Sequence, residues 1–231
     1  MLRRTFHQAT ASILCLAALR QAHALSLGDL SNADASSGLK AALGQGAQAA
    51  VALLGRTDGF LGNPQVRIAL PGSLEDAARL LRRFGQGKRI DELVTTINRA
   101  AEAAVPMGKD LLVGAVQAMT VTDARKILTG GDTSVTQFFA EKTRLPLGER
   151  FLPVVTQATE QVGLAQKYNA VASKVSNFGL ISKEDANLSQ YVTGKTLDGL
   201  YLVIGEEEKK IRQNPLGSSS AIVQKVFGAL R

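Results

Sequence analysis

The sequence predicts an all-α fold: a single-domain bundle of about eight to ten helices. Apolar residues recur at helical spacing along most of the chain, and caps and glycines punctuate that pattern at short intervals. Strand-like alternation is confined to residues 66–70. The chain has 231 residues, of which 45% are hydrophobic, which is sufficient for one core.

Residues 1–24 are predicted to be a signal peptide that is cleaved after Ala24. Arg3 and Arg4 give a basic start, an apolar run extends to Leu19, and Ala22-His23-Ala24 fits an A-x-A cleavage site. The two arginines are compatible with twin-arginine export and with a general signal. Residues 25–231 are then expected to form one helical domain in the periplasm.

Cys15 does not indicate a lipoprotein. It lies in the middle of the apolar run and follows Ile13-Leu14, whereas lipid attachment normally requires small residues just before the cysteine. No later segment approaches the roughly 20 apolar residues that a membrane-spanning helix needs. No membrane span is therefore predicted.

Signal cleavage would also remove the most reactive side chains. His7, His23 and Cys15 are the only histidines and the only cysteine, and the chain has no tryptophan. A zinc site with His or Cys ligands and Ser-His-Asp or Cys-His catalysis are therefore excluded for residues 25–231. No catalytic residue, metal site or cofactor is predicted.

The charge balance gives no sign of nucleic-acid binding. Cleavage would leave 24 basic residues against 20 acidic ones, a mild excess. Only the basic residues between Arg79 and Arg89 look like a patch. An exported protein seldom meets nucleic acid, so weak attraction to anionic envelope surfaces is favoured over nucleic-acid binding.

The first helix is predicted over Ser31–Leu54, and Gly55 closes it. Its glycines would allow a neighbouring helix to approach closely, and its buried stripe is predicted as Leu39, Leu43, Ala47, Ala50 and Leu54. Residues 56–72 then form the one long irregular segment, which is too apolar for a free loop. It is either a structural clamp across the bundle or the wall of a binding groove.

The middle of the chain, Asn98–Thr143, is predicted to contain three or four short helical units. The helix before it should begin at Arg89 or Asp91. Thr120 and Asp123 have the spacing of a capping box, and Gly130-Gly131 is predicted to stop the helix that they begin.

The last part of the chain is predicted to contain two breaks. Pro153 should interrupt a helical pattern near Phe151, and Asn214-Pro215 should end the run Leu188–Gln213. That run is expected to be the longest and most buried helix, because it is apolar on two sides. Helices are also predicted over residues 164–178, after Ser182 with Asp185, and after residues 218–220.

Glu206-Glu207-Glu208 is the one carboxylate cluster. Carboxylates alone can bind a hard cation or perform acid–base chemistry. Consecutive helical residues diverge by about 100°, however, so the three cannot converge on one ion. Ordinary surface pairs at i,i+4, Glu206 with Lys210 and Glu208 with Arg212, are favoured.

Four segments resemble a known family. DGFLGNPQVRIALP, NRAAEAAVP, MTVTDARKILTGGDT and LDGLYLVIGEEEKKIRQNP, in this order, are similar to the bacterial family catalogued as domain of unknown function 4197. The similarity extends over nearly all of residues 27–228. It implies a helical fold and export, and it implies no activity. Some relatives are lipoproteins, and Cys15 departs from their pattern.

These observations lead to one functional hypothesis and one alternative. The first is a non-enzymatic binding or scaffold module for an envelope protein or an apolar small molecule; the alternative is a carboxylate-dependent hydrolase that uses Glu102 or Glu206. A buried arginine–carboxylate pair is more often structural than functional. The candidate binding residues are Asp58, Phe60, Arg67, Ile68, Asn98, Arg99, Glu102 and Glu206.

Overall fold

The computed structural model is all-α, as the sequence predicts. It describes residues 32–131, 133–161, 166, 169, 187–218 and 220–228, with the backbone alone at residues 73, 76, 77, 80 and 81. Within these ranges there are eight α-helices and two 3₁₀ turns and no strand. The helices are α1 (Asn32–Leu54), α2 (Gly72–Arg83), α3 (Gly87–Ala104), α4 (Lys109–Gln117), α5 (Val121–Thr129), α6 (Ser134–Glu160), α7 (Leu188–Gln213) and α8 (Ala221–Gly228); the 3₁₀ turns are Val105–Gly108 and Pro215–Gly217.

The two longest helices, α6 and α7, form an antiparallel pair at the centre of the bundle. Thr143 on α6 contacts Tyr201 on α7, and Thr159 further along α6 contacts Ser189 near the start of α7. The Thr143 hydroxyl donates to the carbonyl of Phe139, so the Tyr201 hydroxyl is the donor in their 3.0 Å hydrogen bond. Burial raises the pKa of Tyr201, and the hydrogen bond to Thr143 opposes this shift.

Helix α1 packs against α7 and α8 through its predicted stripe, whose five members are at most 1% exposed. Gly38 allows α8 to approach closely, since a Cβ there would lie 2.4 Å from a methyl carbon of Val226. Gly44, by contrast, has nothing within 4 Å of such a Cβ. The expected close approach therefore occurs at Gly38 and not at Gly44.

The predicted break at Pro153 was wrong, because α6 continues through both Pro146 and Pro153. Proline removes one helical hydrogen bond and crowds the carbonyl four residues earlier. Pro153 is exposed, so that carbonyl can tilt towards water. Leu147 and Phe151, on the buried side, are fully buried and hold the helix together. With 27 residues, α6 is also one residue longer than α7, which was expected to be the longest helix.

The predicted starts and ends of the shorter helices were mostly correct. Helix α5 begins with the predicted capping box, in which Thr120 and Asp123 satisfy each other's backbone N–H groups. It ends before Gly130, whose φ of −80° any residue can adopt. Glycine is needed there for space, since a Cβ would lie 2.5 Å from the Cβ of Ser134. Helix α3 begins at Gly87, earlier than the predicted Arg89 or Asp91.

The bounds predicted for the long helix near the C-terminus, Leu188–Gln213, are confirmed for α7. Its N-cap is Asn187, whose side chain accepts from the N–H groups of Ser189 and Gln190. The helices predicted over residues 164–178 and after Ser182 lie outside the described residues apart from positions 166 and 169. None of the helices in the described ranges is long and apolar enough to cross a membrane.

Candidate functional site

The long irregular segment predicted at residues 56–72 is present as the connection between α1 and α2 and ends at Pro71. We call Gly55–Pro71 the α1–α2 loop. Its first half is a series of turns, in which Asn63 N–H donates to the Phe60 carbonyl and Arg67 N–H donates to the Asn63 carbonyl. Its second half is extended. The loop lies against α3 and α7, and side chains from both helices bind its backbone.

Glu102 on α3 holds the first half of the loop. One carboxylate oxygen, Oε1, accepts from the backbone N–H groups of Phe60 and Leu61 at 3.0 and 3.1 Å. The other, Oε2, accepts from Nη1 of Arg99 at 2.6 Å. Glu102 is only 4% exposed. Its charge is therefore balanced inside the protein by one guanidinium and two amide dipoles.

Arg99 extends this arrangement to the loop surface. Its Nη2 atom donates to Oδ1 of Asp58 at 2.8 Å, so one guanidinium binds two carboxylates. Hydrogen bonding to Glu102 first, and to Asp58 second, raises the pKa of Arg99 above its ordinary value. Asp58 itself has a φ of 63°, a left-handed conformation that is uncommon for a residue with a side chain. The ion pair fixes this turn in place.

Asn98 holds the second half of the loop in the way that a neighbouring strand would. Its side-chain oxygen accepts from the N–H of Ile68 at 2.8 Å, and its amide nitrogen donates to the carbonyl of Ile68 at 2.9 Å. The same nitrogen also donates to the Val94 carbonyl. The predicted alternation is confirmed, because Val66, Ile68 and Leu70 are buried and Arg67 is exposed. No strand in the described part of the chain pairs with them.

Helix α7 covers the loop from the other side. The Phe60 ring is fully buried against Gly199, where an added Cβ would lie 2.9 Å from the ring and 3.1 Å from Cβ of Val66. The Tyr191 hydroxyl donates to the Ala69 carbonyl at 3.1 Å. Sequence reasoning did not assign either residue to the site. A glycine in the interior of a long helix was the available signal for Gly199.

The structure brings seven of the eight candidate residues together. Asp58, Phe60, Arg67 and Ile68 belong to the loop, while Asn98, Arg99 and Glu102 belong to the part of α3 beneath it. Glu206 is separate: it follows Gly199 by two turns of α7, about 10 Å along the helix axis.

The pairing predicted for the carboxylate cluster was only half correct. Lys210 pairs with Glu207 at 2.6 Å and not with Glu206. Glu208 pairs with Arg212 at 2.7 Å as expected, but Glu208 is 4% exposed, so this is no ordinary surface pair. Arg212 also lies over the ring of Phe227. This contact helps to hold α8 against α7, which is a structural role.

The geometry limits the chemistry available at the loop. Both oxygens of Glu102 already accept hydrogen bonds, and water has little access to them. A general acid or base needs a free position next to the substrate. Among the residues that the structure describes, no group of three or more His, Cys, Asp or Glu side chains could hold a metal ion.

Fold and site thus define an all-α protein whose long irregular loop is held by side chains of two helices. A family model described as "Protein of unknown function (DUF4197)" matches residues 29–228. The chain belongs to this family, which confirms the resemblance found in the sequence. No curated protein and no solved structure shows significant similarity to the chain.

Proposed function

We propose that this chain is a non-enzymatic binding protein of the bacterial periplasm, and that it presents the outer face of the α1–α2 loop to a protein partner. One observation carries the proposal: buried side chains of α3 fix the irregular loop through its backbone. Loops that a rigid scaffold positions are the usual place for binding residues. A preformed loop loses little conformational entropy on binding, which favours affinity.

The chemistry of the outer face favours a protein partner over an apolar small molecule. Phe60 and Ile68, the apolar candidates, are already buried against the helices. Arg56, Gln65 and Arg67 are exposed on the loop. This mixture of polar and charged groups suits a macromolecular surface better than a lipophilic ligand.

The 3₁₀ turn Val105–Gly108 adds apolar area beside this face. Gly55, at the start of the loop, packs against Pro106, since a Cβ on Gly55 would lie 2.8 Å from Cγ of Pro106. Met107 in the same turn is 46% exposed. Methionine and arginine are both enriched in protein–protein interfaces. We therefore include Met107 in the proposed surface.

Site-specific photo-crosslinking in cells that produce the protein would test this surface. A crosslinker at Gln65 should give a discrete adduct, whereas one at Glu149, which is exposed on α6, should not. Arg67→Glu should weaken the Gln65 adduct, because it reverses the charge beside the crosslinker. Equal adducts from both positions, or none from Gln65, would count against the proposal.

The alternative function is a carboxylate-dependent hydrolase that acts through Glu102 or Glu206. The full set of hydrogen-bond partners around Glu102 weighs against it, and Glu206 lies away from the loop. Glu102→Gln and Glu206→Gln separate the two functions. A hydrolase would lose on the order of a hundredfold or more in rate with one of them. A binding protein has no hydrolytic rate to lose.

The location in the periplasm rests on the predicted signal at residues 1–24. N-terminal sequencing of protein from the periplasmic fraction should begin at Leu25. A secreted form that still contains His23 would contradict the assigned cleavage site, and a form found only in the cytoplasm would contradict export.

A further inference from the structure

The turn between α2 and α3 carries a concentration of positive charge that the proposed function does not use. Residues 77–90 contain no acidic residue. The same stretch contains five basic residues, Arg79, Arg82, Arg83, Lys88 and Arg89. Arg79, Arg82 and Arg83 have the i, i+3, i+4 spacing that places residues on one face of a helix. Lys88 and Arg89 lie in the first turn of α3.

The two helix ends form a compact turn. Gly85 reverses the chain with a φ of 77°, and Arg82 lies against Gly87, whose added Cβ would be 3.8 Å from the Arg82 Cγ. Arg82 also pairs with Glu75 on α2 at 3.4 Å and with Asp91 on α3 at 3.3 Å. Arg82 therefore joins the two helices, and its charge is partly neutralised.

Phe84, the first residue after α2, is 77% exposed. The inner sides of the helices are occupied, since Ala78 on α2 and Ile90 on α3 are fully buried. Arg83 and Lys88, close to Phe84 in the chain, are exposed. The turn thus presents a large aromatic ring to solvent among cationic side chains. We call Arg83–Arg89 the basic tip.

We propose that the basic tip docks on an anionic phospholipid surface, with Phe84 inserted at the boundary between headgroups and acyl chains. Arg83, Lys88 and Arg89 would bind the lipid phosphates. Exposed aromatic residues combined with lysine and arginine are the recognised pattern of binding at membrane interfaces. Cleavage of the predicted signal would leave 24 basic and 20 acidic residues, a net charge of the same sign.

Charge alone would also attract nucleic acid, but the arrangement of the tip favours a lipid surface. Single-stranded nucleic acid binds in basic grooves where several aromatic rings stack on successive bases. The tip offers one ring at the end of a helical turn, which suits insertion between headgroups. It is also separate from the α1–α2 loop, because Gly87 and Asn98 are about 16 Å apart along α3.

Tryptophan fluorescence provides a direct test, because the natural chain contains no tryptophan. Phe84→Trp puts a single reporter in the tip. Its emission should shift to the blue with vesicles of phosphatidylglycerol and phosphatidylcholine, and brominated lipids should quench it. Pure phosphatidylcholine vesicles should do neither. Leu145→Trp is the matched control, since Leu145 is 76% exposed on α6, and its emission should stay unchanged.

The contribution of charge can be measured by vesicle co-sedimentation. Each basic residue near an anionic surface contributes about a fivefold factor in partitioning, so Arg83→Gln with Lys88→Gln should weaken binding about 25-fold. Lys109→Gln with Arg150→Gln removes the same charge from exposed positions on α4 and α6. This control pair should bind nearly as the natural protein does.

Three results would overturn the proposal. The first is an equal loss of binding with both pairs of variants, which would mean that only net charge matters. The second is an equal emission shift at Leu145→Trp. The third is the absence of an emission shift of Phe84→Trp with the anionic vesicles; a shift with single-stranded DNA instead would identify the tip as a nucleic-acid contact.

Discussion

Replacing Glu102 should release the first half of the α1–α2 loop. Glu102→Ala leaves the N–H groups of Phe60 and Leu61 without their acceptor. A buried unsatisfied N–H costs about 1–3 kcal/mol. Phe60 N–H is buried, whereas Leu61 is partly exposed and water can reach it. We therefore expect the free energy of unfolding to fall by about 2–4 kcal/mol.

Two milder variants separate the parts of this effect. In Glu102→Gln the side-chain oxygen can still accept from the N–H groups of Phe60 and Leu61. The side-chain NH₂ group replaces the second oxygen, however, and it cannot accept the hydrogen bond from Arg99. A hydrogen bond to a charged group contributes about 1.5–3 kcal/mol, so we expect a loss near the lower end, because Arg99 keeps Asp58. Asp58→Asn breaks an exposed ion pair and should cost at most about 1 kcal/mol.

Urea unfolding of the four proteins measures this order, and amide hydrogen exchange locates it. The amides of Phe60 and Leu61 should lose protection in Glu102→Ala but keep most of it in Asp58→Asn. A free energy of unfolding for Glu102→Ala within about 0.5 kcal/mol of the natural protein, the range of ordinary surface substitutions, would refute the role given to Glu102. Asp58→Asn as the most destabilising of the three variants would refute it as well.

Three further predictions concern other contacts. Asn98→Ala should lower the free energy of unfolding by about 2–3 kcal/mol, because it leaves the buried backbone N–H of Ile68 without an acceptor. Urea unfolding would measure the loss, and a change below about 0.5 kcal/mol would contradict this prediction. Gly199→Ala should lower the free energy of unfolding by about 1–3 kcal/mol, because the added methyl group would overlap Phe60. Gly194→Ala, on the same helix but beside open space, should raise it by up to about 1 kcal/mol. Thermal unfolding that ranks the two variants the other way would refute this explanation. Thr120→Ala should cost about 1 kcal/mol by removing the helix cap. The Thr120 N–H, and then its hydroxyl, lowers the pKa of Asp123. Thr120→Ala keeps the N–H but removes the hydroxyl, whose contribution is complete above the unfolded value of 3.8 and is lost as the pH falls through the folded value. The difference between the two proteins should therefore shrink in acid, and a constant difference would contradict the assignment.

Capping residues and prolines in the sequence were sufficient to predict the ends of some helices. Helix α7 has the predicted bounds because Asn187 caps its start and Asn214-Pro215 cannot continue it. The break predicted at Pro153 does not occur, because the packing of α6 against the core outweighs the tendency of proline to interrupt a helix. Phe151 and Leu147 bury one side of α6, and that burial outweighs one missing hydrogen bond. Such an outcome depends on neighbouring helices, which the sequence does not reveal.

Seven of the eight candidate residues lie in two short segments, residues 58–68 and 98–102, but the contacts that join these segments were not predictable. Asn98 and Glu102 are one helical turn apart, so they lie on the same face of α3, and that face is buried. Two polar side chains in a buried stripe were a signal that something polar packs against it. The loop residues that they bind, Ile68 and Phe60, are 30 and 42 positions away. Only the tertiary fold joins them.

The hydrogen bonds of Asn98 and Glu102 to the α1–α2 loop also explain how a helical bundle can bury an extended segment. Buried backbone groups need partners, and strands normally supply them to one another. Here Asn98 presents one acceptor and one donor to Ile68, as the backbone of a neighbouring strand would, and Glu102 accepts from two successive amides. Because an ionised carboxylate accepts more strongly than a neutral group, it is a suitable partner for the two amides, provided that Arg99 balances its charge. The buried carboxylate is thus accounted for by the hydrogen-bond requirements of the loop, without any catalytic role.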